Sequence, residues 1–143
     1  MKVIKIPYDI SKPCTVDDIP DRTDDSIEDS GRVLDDIKKL IGIEWAEVVY
    51  LSTIKNQDDP HRDYCFIVYE VGKCKDGWPD RINVRASSYY PGTAYGDPIV
   101  GDVVLCAREW TELFGECDLA GLELRELFQF MAHFANMRSK YES

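Results

Sequence analysis

Residues 45–71 read WAEVVYLSTIKNQDDPHRDYCFIVYEV, two strands and the loop that joins them. In residues 45–51, Trp45, Glu47, Val49 and Leu51 alternate with Ala46, Val48 and Tyr50. A period of two puts those two sets on opposite faces of a strand. Residues 64–71 are rich in the aromatic and β-branched side chains that pack well on a pleated surface. The polar residues 52–63, with Asp58-Asp59-Pro60 among them, predict a long hairpin loop. The two strands and their loop therefore predict an antiparallel hairpin.

Toward the amino end, Val33, Leu34, Ile37, Leu40 and Ile41 recur at helical spacing. Asp29 or Ser30 can cap that helix, Lys38 and Lys39 suit its last turn, and Gly42 supplies the stop. Residues 1–8 alternate as a strand, at an edge or ending at Pro7, which has no N–H to give a ladder. Residues 11–30 are polar, contain Pro13 and Pro20, and predict a loop or arm.

Toward the carboxyl end, residues 73–79 with Asp76-Gly77 predict a turn, residues 81–86 a short strand, and residues 87–98 a loop. Residues 99–107 predict a strand buried on both faces through Val103, Val104 and Leu105. Asp118 is placed to cap a helix running to about Lys140. Its core stripe would be Leu124, Leu127, Phe128, Met131, Phe134 and Ala135, with Leu122, Phe130 and Met137 away from it: either an exposed apolar strip for a homodimer or a partner, or, the reading favoured, a face covered by a strand or the first helix. The expected fold is α+β: a mostly antiparallel sheet of about 4–6 strands with two main helices packed on one side.

The bulk numbers fit one domain over residues 1–143. Apolar residues make up 44% and charged ones 31%, both in the globular range. The absence of a long apolar run or a basic-then-apolar start predicts a soluble, cytoplasmic protein with no membrane association. Five cysteines at irregular spacing (Cys14, Cys65, Cys74, Cys106, Cys117) predict free thiols in a reducing compartment. The formal charge is −10, and residues 17–36 hold nine carboxylates against Arg22 and Arg32. Such a balance disfavours direct nucleic-acid binding, which rests on Lys and Arg neutralising phosphates.

Five segments occur in a familiar order: KVIKIP (2–7), DDIKKLIG (35–42), WAEVVYL (45–51), VGKCKDGWPDRINVRA (71–86) and DPIVGDVVLCA (97–107). Over roughly residues 1–107 the chain resembles a family of small domains of unknown function carried by phages, plasmids and other mobile elements of bacteria. In that family a strand and helix precede a hairpin, a turn with asparagine and arginine, and a strand opening with a glycine-aspartate step. The matching positions are Asn83, Arg85, Gly101 and Asp102. The chain departs from the pattern in its long acidic segment, the Tyr/Gly loop at 89–98 and an extended aromatic helix after Asp118. The resemblance brings no activity with it. It implies a setting, the bacterial cytosol during carriage or infection, where small acidic proteins bind and block host factors.

Two stretches are candidate sites. Asp17, Asp18, Asp21, Asp24, Asp25, Glu28 and Asp29 would attract a host protein with a basic surface, as an anti-defence factor or an inhibitor imitating DNA phosphates; the competing reading is a solvated loop. Tyr89, Tyr90 and Tyr95 would anchor the same interface, since tyrosine gives large contact area at low entropic cost. Alternatively, Arg81, Asn83, Arg85, Tyr89, Thr93 and Tyr95 would hold a nucleotide-like small molecule, the glycines letting backbone amides approach an anion, though no P-loop pattern is present. Nothing in the sequence calls for a cofactor. His61 and His133 have no second histidine at ligand spacing, so no metal is expected. No cysteine or serine stands beside a base in sequence, no carboxylate pair is singled out, and no catalytic residue is assigned.

Overall fold

The structure is a computed structural model that describes residues 1–20, 32–51, 54, 56, 58–111 and 116–142. Its elements in chain order are β1 (Lys2–Ile6), β2 (Thr15–Asp18), α1 (Arg32–Ile41), β3 (Ala46–Tyr50), β4 (Arg62–Tyr69), α2 (Val84–Ser87), β5 (Val103–Thr111), β6 (Glu116–Ala120) and α3 (Leu124–Glu142). The described strands form one six-stranded sheet in the order β2-β1-β5-β4-β3, antiparallel throughout. β6 joins it beside β5. The fold is α+β; β5 and β4 lie at the centre of the sheet, and β3 of the predicted hairpin is its edge strand.

β5 is long enough to serve two neighbours along one edge. Its start pairs with β1 (Ile6↔Val103, Ile4↔Leu105) and its end with β6 (Ala107↔Ala120, Thr111↔Glu116). β6 and β1 thus lie end to end, and the Leu122 N–H donates to the Lys2 carbonyl at 2.8 Å across the junction.

The central strands are apolar on both faces, so both must be covered. Ile4, Ile6, Tyr64, Phe66, Val68, Val103, Leu105 and Ala107 face one way, against Ala86 of α2 and Phe130 and Phe134 of α3. Val3, Cys65, Ile67, Val104 and Cys106 face the other way, against Val33 and Ile37 of α1. The helices therefore sit on opposite faces, not on one side. The two-sided burial read in residues 103–105 holds for β4 and β1 as well, and a sheet buried on both faces needs two layers of cover.

α1 uses the expected stripe and ends in a Schellman motif. Gly42 adopts φ +67°, its N–H donates to the Lys39 carbonyl, and the Ile43 N–H donates to the Lys38 carbonyl at 3.0 Å. Only glycine reaches that conformation without strain.

Three local expectations are corrected. The polar stretch 11–30 contains strand β2, whose two aspartates disfavour a strand by composition. It is held by backbone pairing to β1 and by Asp18, which bridges Lys2 at 2.9 Å. Residues 81–86 are not a strand: Ile82 makes one bridge to Val100, and α2 begins at Val84 because the Asn83 side chain caps it. Residues 116–120 are β6, so the last helix begins at Leu124 rather than after Asp118. Glu126 in its first turn accepts the Glu123 N–H at 2.7 Å, the reciprocal half of a capping box.

The buried face of α3 also differs from the one expected. Leu122, Phe130 and Phe134 enter the core, whereas Leu124 and Phe128, assigned to the core stripe, are exposed. No described helix is long and apolar enough to cross a membrane.

Candidate functional site

Alternation along β4 puts Arg62 and Tyr64 on the face beneath α3, and both are buried. The buried carboxylate there is Glu126, one turn into the helix. Arg62 donates from Nε to Glu126 Oε2 at 2.9 Å and from Nη2 to Glu126 Oε1. It also reaches Glu109 at 2.5 Å and the Gly121 carbonyl at 2.8 Å. The Tyr64 hydroxyl donates to Glu126 Oε2 and accepts from Asn56 Nδ2 at 3.3 Å. These groups line a cleft of about 410 Å³ with Asp58, Asp59, Glu123, Arg125 and Gln129.

The electrostatics follow from the pairing. Burial alone would raise the Glu126 carboxyl, but hydrogen bonds from Arg62, Tyr64 and the Glu123 N–H hold it below its ordinary value. Burial opposes the charge on Arg62, yet Glu126 and then Glu109 raise its pKa. Tyr64 is pushed up to about 12, first by burial and then by the Glu126 carboxylate. Glu126 is ionised with four donors on it, and the Tyr64 hydroxyl both donates and accepts. A general acid or base needs a free lone pair or proton to exchange. This cluster commits its groups to one another, and what it does is fix α3 on the sheet. Nothing in the sequence analysis singled it out, although Arg62 and Tyr64 two apart at the head of an apolar strand carried the signal.

The residues that carry the family resemblance converge on one place, the exit of β1. Asn83 is fully buried; its Nδ2 donates to the carbonyls of Ile6 (2.8 Å) and Gly101 (2.9 Å), and its Oδ1 accepts the Ala86 N–H. Arg85, 1% exposed, donates to the carbonyls of Pro7 (2.7 Å) and Asp9 (3.2 Å). Asp102 accepts the Tyr8 N–H at 2.9 Å. The four form a clasp joining β1, α2 and the start of β5. Asn83 and Arg85, expected as ligand contacts, point into the protein, because the open carbonyls where β1 ends at Pro7 need donors.

The other predicted residues separate. Tyr89 is half-buried, edge-on to Phe130 and Phe134 and tilted over His133, and burial raises its pKa. Tyr90 is half-buried and donates to Asp97 at 3.2 Å. Gly92 serves that ring rather than an anion: a Cβ there would sit 2.5 Å from Tyr90 Cε2. Thr93 donates to the Ser87 carbonyl at 2.8 Å, and Arg81 to that of Asp76 at 3.3 Å. Of the three tyrosines Tyr95 alone projects freely, 90% exposed.

Asp17 and Asp18 lie on β2, which pairs with β1 alone among the described strands. Asp21, Asp24, Asp25, Glu28 and Asp29 lie outside the described residues. Both flanks of that stretch are anchored together, since Ile19 after β2 and Val33 in α1 enter one apolar cluster on the second face. The Tyr89–Tyr90 pair packs on the first face, so the sheet stands between the tyrosines and the anchors of the acidic segment.

Folding also pairs groups distant in sequence. Cys65 and Cys106 are cross-strand neighbours with Sγ atoms 3.5 Å apart, free and buried. The Cys106 thiol is raised first by its hydrogen bond with Cys65 and then by burial, so it is a poor nucleophile. Ser88 Oγ lies 3.2 Å from His133 Nε2, but it donates to the Arg85 carbonyl at 2.6 Å. The ring then donates to serine, the reverse of what activates a nucleophile. Among the described residues no three His, Cys, Asp or Glu converge as metal ligands. Compared with known proteins, the chain matches no family model, no curated protein and no solved structure.

Proposed function

We propose that this chain is a small acidic binding protein of a bacterial mobile element, acting in the cytoplasm on a host protein with a basic surface. The observation that carries the reading is the shared anchoring of Ile19 and Val33. With Ile19 and Val33 in one cluster, the two described ends of the acidic run meet on the same face of the sheet. A field of one sign concentrated in this way steers a basic partner and raises its rate of encounter. A nucleic-acid-processing or defence factor offers such a surface, with the acids standing where DNA phosphates would. The resemblance to mobile-element domains supports the setting.

The test is capture from host lysate at low salt, then kinetics with the stoichiometric partner. Changing Asp17, Asp21, Asp24, Asp25, Glu28 and Asp29 to Asn or Gln is expected to slow association by roughly 10-fold or more, flatten its salt dependence and leave the melting temperature in place. Unchanged kinetics and salt slope would reduce the segment to a solubilising role.

A second reading, an anionic small molecule, is favoured by one place. Tyr69, Lys75, Asp76, Arg81, Val100 and Gly101 line a cleft of about 400 Å³, with Lys75 Nζ 5.8 Å from the Tyr69 ring. Two cations beside an aromatic face suit a nucleotide-like ligand. In a thermal-shift screen of nucleoside phosphates, a ligand at 100 times its Kd stabilises by about 2.7 kcal/mol, an effect Arg81→Ala should abolish. A screen with no shift at millimolar nucleotide rejects this reading.

A further inference from the structure

From the outer edge of β3 we infer that the sheet takes up an extended segment of a partner protein as an added strand, with a lysine or arginine of that segment held beside Glu47 and Glu70. β3 ends the path of the sheet and pairs with β4 over all five of its residues. At its two ends the Glu70 N–H donates to the Trp45 carbonyl at 3.0 Å and the Leu51 N–H to the Tyr64 carbonyl at 3.1 Å. In an antiparallel pair, residues that bond to the neighbour alternate with residues that bond away from it. Trp45, Glu47, Val49 and Leu51 therefore bond to β4, and Ala46, Val48 and Tyr50 turn their N–H and C=O groups outward. No described residue pairs with those outward groups. β3 also holds no proline, no lysine and no bulge, the usual devices that blunt an edge, and its one charge is Glu47.

Charge selects a basic occupant. By alternation Trp45, Glu47 and Val49 share the face of β3 that meets the first core cluster. A cleft of about 240 Å³ opens on that face, its floor apolar through Val49, Val68, Ile99 and Val100 and its charged groups Glu47, Glu70, Lys73 and Asp97. Lys73 bridges Asp97, whereas Glu47 and Glu70 are exposed and have no ion pair among the described residues. Alternate side chains of an added strand fall over this face. A lysine or arginine among them lays its methylene stem along the apolar floor and brings its cation to the two unmatched carboxylates. Trp45, 63% exposed and two residues before Glu47, offers the same cation an aromatic face. The second face carries cations of its own, Arg108 bridged to Asp63 and Lys38 and Lys39 at the end of α1, so the basic side chains of the added strand belong on the first. A second copy fits poorly, because β3 paired with itself about Val48 sets two Glu47 carboxylates diagonally across one face. β2, with Asp17 and Asp18, lies at the far end of the sheet path, so this surface goes beyond the one proposed for the acidic segment.

NMR titration of the full chain with acetylated heptapeptides that alternate lysine and valine tests this. The lysine peptide is expected to shift the amide signals of Ala46, Val48 and Tyr50 and to slow their exchange with solvent by about 10-fold or more. Its counterpart with glutamate in place of lysine should bind about 10-fold more weakly or worse. A lysine peptide N-methylated along its backbone should not bind, since a ladder needs its donors. Glu47→Lys combined with Glu70→Lys should reverse the preference toward the glutamate peptide, with the melting temperature retained because both side chains are exposed. No shift at the three amides with about 1 mM lysine peptide overturns the proposal. Shifts confined to residues 17–36 also overturn it, while leaving the acidic segment as a site for basic partners. Equal binding of the N-methylated peptide overturns the added strand, and equal binding of the glutamate peptide overturns the basic occupant.

Discussion

Replacing Arg62 with methionine is expected to lower folding stability by roughly 3–5 kcal/mol, the cost of leaving one member of a buried ion pair without the other. Glu126 would keep its buried position and lose its two strongest donors. In a domain of this size that corresponds to a fall of about 10–15 °C in the melting temperature. The loss belongs to the unpaired charge, so Arg62→Met combined with Glu126→Leu should recover much of it. The pH dependence gives a second readout. In the wild type the Glu126 carboxyl sits below its unfolded value of 4.5, so its contribution is present above pH 4.5 and is lost as pH falls through the folded pKa. In Arg62→Met burial dominates and raises the same carboxyl, so that part of the dependence reverses, and the variant gains stability toward acid. Urea unfolding across pH 3–7 measures both. A single-variant loss under about 1 kcal/mol, the range of an exposed pair, would show that the cluster is not what fixes α3.

Asn83→Ala is expected to cost roughly 3 kcal/mol. It leaves the buried carbonyl of Ile6 and the part-buried carbonyl of Gly101 without this donor and removes the cap of α2, the buried loss and the cap each being worth about 1–3 kcal/mol. Asn83→Asp separates the two contributions. It keeps an acceptor for the Ala86 N–H but turns a carboxylate toward two carbonyl oxygens, so it should be at least as destabilising near neutral pH and recover as the acid is protonated. Were Asn83 instead a ligand contact, Asn83→Ala would leave the unfolding midpoint in place, and a midpoint within about 0.5 kcal/mol of wild type would remove the clasp from the account.

Local rules of the chain carried much of the architecture. Alternation in residues 45–51 and the aromatic and β-branched composition of residues 64–71 indicated the β3–β4 hairpin, because a period of two and side chains suited to a pleated surface both favour strands. The Val33–Ile37–Ile41 spacing with Gly42 behind it determined α1 and its end, since the stop is a property of one residue's backbone. Tertiary structure decided three things that local pattern does not contain. β2 exists because β1 offers it a backbone ladder and Lys2 offers Asp18 a charge, although Thr-Val-Asp-Asp has little preference for a strand. Asn83 and Arg85 turned inward because β1 ends at Pro7 with carbonyls that only a distant side chain can satisfy. The outward face of α3 was decided by the sheet beneath it: Arg62, 64 residues away, and Tyr64 hold Glu126 inward on the same face as the buried Phe130 and Phe134, which leaves Leu124 and Phe128 outside. The order and type of most elements were fixed by the sequence alone. Which polar groups meet, and therefore which apolar side chains are left facing water, was decided only when strands far apart in the chain came together.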